Sequence, residues 1–185
     1  YDANGNRTRI TVSGSAGQTV TRLSYDSSFN LVRLDDPSTS ISYQYDGLGN
    51  RVQKDIFEPG QGAGAGSTTR YTYDREGRLK TETNPLDGLT TYGYDRAGRR
   101  TSVRTPAGTT TYGYDSRGNV TLILEPEGKQ TTHSWDDANQ KRITTEGTGP
   151  DARVTRYTYD DAGNLETITY PDGRVVRYTY DLDGN

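Results

Sequence analysis

The chain has 185 residues, with 22 basic and 25 acidic side chains and a formal net charge of −3. It contains no Cys, which excludes a disulfide framework, a thiolate zinc cluster and a thiol nucleophile. Charges of both signs are interspersed without the basic stripe that nucleic acid requires, and no apolar run approaches the roughly 20 residues of a membrane helix.

Taken in order, the chain repeats one word. Tyr1–Gly5 is a partial copy, and Tyr25-Asp26 is another, in which Phe29 stands in the Gly place. Complete copies of Tyr-x-Tyr-Asp-x-x-Gly then supply Tyr43, Tyr45, Asp46 and Gly49; Tyr71, Tyr73, Asp74 and Gly77; Tyr92, Tyr94, Asp95 and Gly98; and Tyr112, Tyr114, Asp115 and Gly118. A degenerate copy follows at His133, Trp135 and Asp136, with Asn139 in the Gly place. Two more complete copies supply Tyr157, Tyr159, Asp160 and Gly163, and Tyr178, Tyr180, Asp181 and Gly184. The pairs recur about every 21 residues, a spacing typical of repeat arrays. One array of about eight repeats is expected over residues 1–185, with insertions near 58–67 and 147–151. The chain begins at Tyr1 in mid-motif, as expected of a segment of something longer. Hydrophobic content of 29% would suit a disordered chain, but disorder gives no reason for aromatic residues to keep a period.

Each period holds two turns. Rings two residues apart on a strand point to one face. Asp then opens a type I turn and Gly takes the left-handed position that closes it, a common short hairpin loop. The second turn is Pro-x-Gly, at Pro106–Gly108, Pro126–Gly128 and Pro171–Gly173, with Pro85–Gly88 one residue longer. Between the turns lie runs of about six residues rich in Thr, Tyr, Val and Arg, a strand length without helical period. The expected fold class is all-β: an antiparallel meander of hairpins with Tyr-Asp turns along one edge and Pro-x-Gly turns along the other. This turn type predicts Tyr73 opposite Leu79, Tyr114 opposite Val120 and Tyr159 opposite Leu165. Simple alternation from there puts Ile10, Leu34, Val103, Ile123 and Ile168 on the face away from the rings, so both faces are expected to be partly apolar. An open sheet of this many strands is expected to curl into a long curved or spiralling ribbon.

The word Tyr-x-Tyr-Asp-x-x-Gly-[Asn/Arg]-[Leu/Val], followed by Pro-x-Gly-x-x-x-x-Tyr-x-Tyr-Asp, resembles the YD repeat of the RHS (rearrangement hot spot) family. Close copies are Tyr71–Asp95, Tyr92–Asp115 and Tyr157–Asp181, and the resemblance covers essentially the whole chain. It implies a β-ribbon that spirals into a hollow shell. In bacterial polymorphic toxins and insecticidal toxin complexes such a shell encloses a C-terminal toxic segment; in teneurins a similar shell serves adhesion. Bacterial shells commonly end in an Asp-Pro-x-Gly-Leu region that cleaves itself. Here Asp36-Pro37-Ser38 is the only Asp-Pro pair and no Gly-Leu follows, so no catalytic residue carries over. The implied function is non-catalytic: part of the wall of a shell that encapsulates or displays a toxin or other cargo, in a secreted or cell-surface bacterial protein. Its implied partners are the rest of the parent polypeptide and an enclosed toxin segment. The alternative is a self-assembling extracellular filament or adhesin that pairs through strand edges.

Other chemistry is weaker in the residues. Asp2, Asn4 and Asn6, like Asp181, Asp183 and Asn185, place oxygens at alternate positions as calcium loops do, but position twelve from Asp2 is Ser13, and turn capping is the plainer reading. The acid pairs Asp35-Asp36, Asp136-Asp137 and Asp160-Asp161 cannot flank one bond as a glycosidase pair does, because neighbours on a strand face opposite ways. His133 occupies a ring position of the repeat and is read as structural. Rows of Tyr can stack on sugars, which makes carbohydrate a third candidate partner, but pairing across strands uses the rings more simply. No cofactor, metal or catalytic residue is expected.

Overall fold

The computed structural model describes residues 1–14, 17–62 and 66–181. Its sixteen strands follow one another in sequence order in an open antiparallel sheet, and a 3-10 turn at Gly149–Asp151 lies in the second insertion. Two compact units divide the chain.

The first unit, Tyr1–Thr91, holds β1 (Arg9–Gly14), β2 (Gly17–Tyr25), β3 (Leu31–Asp35), β4 (Ser40–Tyr45), β5 (Arg51–Phe57), β6 (Ser67–Tyr73) and β7 (Leu79–Thr83). β8 (Leu89–Tyr94) begins in this unit, paired with β7. The second unit, Tyr92–Asn185, holds β9 (Arg100–Thr105), β10 (Gly108–Tyr114), β11 (Val120–Leu124), β12 (Gln130–Trp135), β13 (Lys141–Glu146), β14 (Arg153–Tyr159), β15 (Leu165–Thr169) and β16 (Val175–Arg177).

The register at the Tyr-Asp turns is the one that turn chemistry predicts: Tyr73 faces Leu79, Tyr114 faces Val120 and Tyr159 faces Leu165. A bulge sits beside each of these pairs. Thr72 faces Thr81, so Lys80 has no partner; Thr121 and Glu166 are skipped in the same way. A skipped residue shifts the side-chain alternation by one. The expectation that Ile10, Leu34, Val103, Ile123 and Ile168 face away from the rings is therefore overturned. Ile123 lies directly opposite Tyr112, Ile168 opposite Tyr157, and Leu34 opposite Leu23, which fills a ring position. Ile10 faces Thr21 and Val103 faces Thr110, both on the ring side of their strands. The rings and the aliphatic row share one face.

The other face is mainly polar. Thr72 and Thr81 share a hydroxyl hydrogen bond of 2.6 Å, Thr158 and Thr167 one of 2.7 Å, and Gln44 faces Gln53. Leu122, Leu124, Ile143 and Val154 are among the exceptions. Leu122 fits because it faces Gly113, where an added Cβ would come within 3.1 Å of the Leu122 Cβ.

The Pro turns differ from their expected form in two places. Asn84–Gly88 is no longer than Glu125–Lys129: in both, the first amide donates to the fifth carbonyl and the fourth amide to the first. Asp87, not Gly88, takes the left-handed position (φ 58°), a region Asp tolerates better than most residues. Thr105 and Gly108 pair directly, which makes Pro106-Ala107 a tighter, two-residue turn.

A sheet one layer thick cannot bury much. Among the described residues Phe57 is the one buried apolar side chain, and it belongs to a polar cluster on the face away from the rings. The Arg33 guanidinium lies 5.1 Å from its ring centre and forms a two-pronged bond to Asp35 at 2.7 and 2.8 Å. Beside them Asp55 is wholly buried. Its carboxylate accepts from Thr68 Oγ1 at 2.6 Å, from Gln53 Nε2 at 2.9 and 3.1 Å, and from Ser42 Oγ at 3.3 Å. Removing that acceptor strands three half-buried donors. Asp55→Ala is expected to destabilise the fold by about 1–3 kcal/mol, while Lys54→Ala, one residue away on the ring face, stays within about 0.5 kcal/mol. The urea midpoints of the two variants, compared at unchanged slope, measure this.

Candidate functional site

The repeat positions assemble into a row along the Tyr-Asp edge of each unit. Asp115 represents the turn. Its Oδ1 accepts the amides of Arg117 and Asn119 at 2.9 and 2.8 Å, and its Oδ2 accepts Asn119 Nδ2 at 3.0 Å. The Gly118 amide donates to the Asp115 carbonyl at 3.2 Å, and the Asp115 amide donates to the Asn119 carbonyl at 3.0 Å. The same main-chain loop forms at Asp2, Asp26, Asp46, Asp74, Asp95, Asp136 and Asp160.

The fourth turn residue has positive φ at every one of these loops. Gly5, Gly49, Gly77, Gly98, Gly118 and Gly163 take it, and so do the replacements Phe29 (65°) and Asn139 (60°). Gly184 and Asp183 lie outside the described residues. The Asp2 carboxylate accepts from Asn4 and Asn6 in the turn pattern, so its oxygens serve the loop.

These bonds favour the ionised acid. The Asn30, Asn50 and Asn119 side chains hold the carboxyls of Asp26, Asp46 and Asp115 below the usual carboxylate range, and Arg99 does the same for Asp95. The amide of Asn164 is the main cause at Asp160. Each lowered carboxyl contributes stability that is fully present above the ordinary value of about 3.9 and is lost as pH falls through its own lower value. The carboxylate contribution to the unfolding midpoint should hold on titration from pH 7 down to about 4 and then fall steeply, after a smaller loss below pH 6.5 from His133, which is harder to protonate in the fold than in the open chain. A midpoint that rose below pH 4 would contradict this assignment.

The second ring of each repeat makes a longer-range bond. Tyr45 donates its hydroxyl to the Leu31 carbonyl at 2.8 Å, Tyr73 to Arg51 at 2.9 Å, Tyr114 to Arg100 at 2.7 Å, Tyr159 to Lys141 at 3.0 Å and Tyr180 to Leu165 at 3.0 Å. Tyr25 does the same to Arg7 at 3.1 Å, and Trp135 substitutes its indole N–H, donating to Val120 at 2.8 Å. Every acceptor lies five residues past the preceding turn Asp.

The reason is geometric. β13 and β14 are not joined by a turn at this edge, and their ladder ends at Ile143–Arg156. The bulge and turn loop carry the Lys141 carbonyl beyond main-chain reach, and the Tyr159 ring spans the gap. The same gap follows Gln53–Arg70 and Ser102–Thr111.

Adjacent turns are also laced together. Arg99 Nη1 donates to the Asp115 carbonyl at 3.0 Å, Asn119 Nδ2 to Asn139 Oδ1 at 2.9 Å, and Gln140 Nε2 to the Gly163 carbonyl at 3.2 Å.

The first ring position, which holds Tyr43, Tyr71, Tyr92, Tyr112, Tyr157 and Tyr178, lies one step inward on the same face. His133 fills it in the degenerate copy, opposite Thr144, with Nδ1 3.0 Å from the Thr144 hydroxyl. Burial and then the Lys141 charge push its pKa down. Among the described residues no cluster of three or more His, Cys, Asp or Glu side chains is arranged to hold a metal ion. The cross-turn carbonyl bonds escaped the sequence reading because a main-chain acceptor has no side-chain signature. The fixed offset of five residues between each turn Asp and the acceptor that follows it was the available signal.

This network defines a β-hairpin repeat protein whose recurring residues hold successive hairpins in register. The RHS Repeat family matches the chain at residues 1–41, 73–110, 102–130, 137–175 and 159–185, well over half of its length. The chain belongs to the RHS repeat family.

Solved structures with the same fold include TcdB2-TccC3-Cdc42, at 20% identity and a TM-score of 0.77 over 91% of this chain. TcdB2-TccC3 without its hypervariable C-terminal region matches at 19% identity and 0.77 over 92%, and TcdB2-TccC3-TEV at 20% and 0.74 over 89%. The chain spans 10% of each of those chains. The comparison with curated proteins returned no match. No helix among the described residues is long and apolar enough to cross a membrane.

Replacing Tyr114 by Phe removes one donor and nothing else. The variant should lose about 1 kcal/mol, measured by urea unfolding, whereas Tyr112→Phe, whose hydroxyl makes no such bond to a turn carbonyl, should lose less.

Proposed function

We propose that residues 1–185 are one continuous array of RHS repeats and form part of the wall of a shell that encloses or displays cargo, in a secreted or cell-surface protein. The observation that carries this reading is the ring-to-carbonyl bond repeated from hairpin to hairpin. It lets a single-layer sheet extend by adding identical units without a growing apolar core, which is what a thin wall requires. The family match and the fold likeness to TcdB2-TccC3 support it, and the small share of those chains covered here fits a wall segment. The role is mechanical: the turn carboxylates are committed to the loops, and the second-ring hydroxyls to carbonyls. The proposed partners are the remainder of the parent polypeptide and an enclosed segment.

Limited proteolysis of the parent polypeptide tests the reading. A chain segment downstream of this array should resist protease while the wall is folded and become cleavable when urea opens it. Equal cleavage in both states would overturn enclosure. Filaments formed by the 185-residue chain alone, seen by electron microscopy, would favour the edge-paired assembly instead.

A further inference from the structure

The ring face carries cations in one fixed position, five residues past each turn Asp. Along the chain that position reads Arg7, Leu31, Arg51, Leu79, Arg100, Val120, Lys141, Leu165, a strict alternation of cation and aliphatic residue. The ring bonds use only the backbone carbonyl at this position, so they do not explain the alternation.

Each cation lies over an aromatic ring. Arg51 lies between Tyr43 and Tyr71, at 5.3 and 5.4 Å from the ring centres; Arg100 is 4.9 Å from Tyr92, Lys141 is 5.1 Å from Trp135 and Arg7 is 6.0 Å from Tyr1. The turn-edge cations Arg78, Arg99, Arg117 and Arg142 each pair with a carboxylate, whereas among the described residues none of these four does.

In the second unit Arg100 stands in an open cleft of 370 Å³ with Tyr94, Tyr112, Tyr114 and Val120. Lys141 lies four strands further along the same face, about 19 Å at the usual strand spacing. The positions opposite the ring rows between them are Ile123 and Thr144, which bring no negative charge.

We propose that this face binds an acidic polypeptide in extended conformation, lying across the strands, with one carboxylate on Arg100 and a second on Lys141. An extended chain covers 19 Å in about six residues, which sets the spacing of the two acids. Charge complementarity selects the occupant: two cations without counter-ions, among rings, aliphatic chains and Thr, suit isolated carboxylates, and the one acid of this face in β13, Glu146, lies at its far edge opposite Arg153. Stacked sugars fit less well, because the cations already cover ring faces and the second-row hydroxyls are already donated. In the shell-wall reading, on which this source rests, the acidic segment is part of the enclosed or displayed chain.

Fluorescence anisotropy with the 185-residue protein tests the proposal. The probe is a labelled Gly/Ser/Thr peptide carrying two Glu residues six positions apart. It should bind, weaken with added salt, and lose affinity roughly threefold with each of Arg100→Gln and Lys141→Gln. Arg100→Lys should restore part of the loss, and Arg117→Gln at the turn edge should change nothing. Unchanged melting of Arg100→Gln, which keeps its backbone carbonyl, separates lost binding from lost folding. No binding, equal binding of a Gln-for-Glu peptide, or equal affinity at three-residue spacing would overturn it. Absent binding with intact cargo protection removes this proposal alone; lost protection with intact binding removes the shell reading alone.

Discussion

The fold depends on a hydrogen bond from the tip of an aromatic ring to a carbonyl in the preceding hairpin. A meander is tied by its turns only at alternate strand junctions on each edge. At the other junctions the ladder stops short, and the bulge after each Tyr-Asp turn moves the next carbonyl further away. The ring supplies the missing rung. A Tyr hydroxyl or an indole N–H serves equally, as Trp135 demonstrates, because the requirement is a donor at the end of a rigid arm.

This bond matters more here than in an ordinary domain because there is so little interior. With Phe57 as the one buried apolar side chain among the described residues, side-chain burial contributes modestly. Stability rests on the main-chain ladder, on cross-strand pairs, and on turns whose carboxylates satisfy two amides and a side chain at once. The altered copies show which features are essential. Phe29 and Asn139 accept a left-handed backbone that Gly would adopt more easily, so the loop geometry persists when its preferred residue is missing. Leu23 fills the first ring position with no polar tip at all, so the donor is needed only in the second.

Much of this was legible in the sequence because its causes are local. Asp at the start and Gly at the fourth position specify the loop, and the loop specifies that Tyr73 meets Leu79. The faces were misread because the bulge consumes one residue: strict alternation sends Ile123 away from Tyr112, and the skipped Thr121 brings it back. Asn84–Gly88 was misread because Asn capping and a left-handed Asp87 imitate the Asp-x-x-Gly loop with different letters. The Asp55 cluster gave no signal, since its partners come from three strands and share no motif. The ring-to-carbonyl bonds joined residues 14 to 22 apart in sequence, and half of each bond was main chain.

Amide hydrogen exchange on Tyr159→Phe tests the central claim most directly. If the ring closes the open end of the ladder, amides at the Ile143–Arg156 rung should exchange faster, while those at Glu146–Arg153, at the far end of the same strand pair, keep their protection. Unchanged exchange at Ile143–Arg156, or an equal acceleration at both ends, would contradict it.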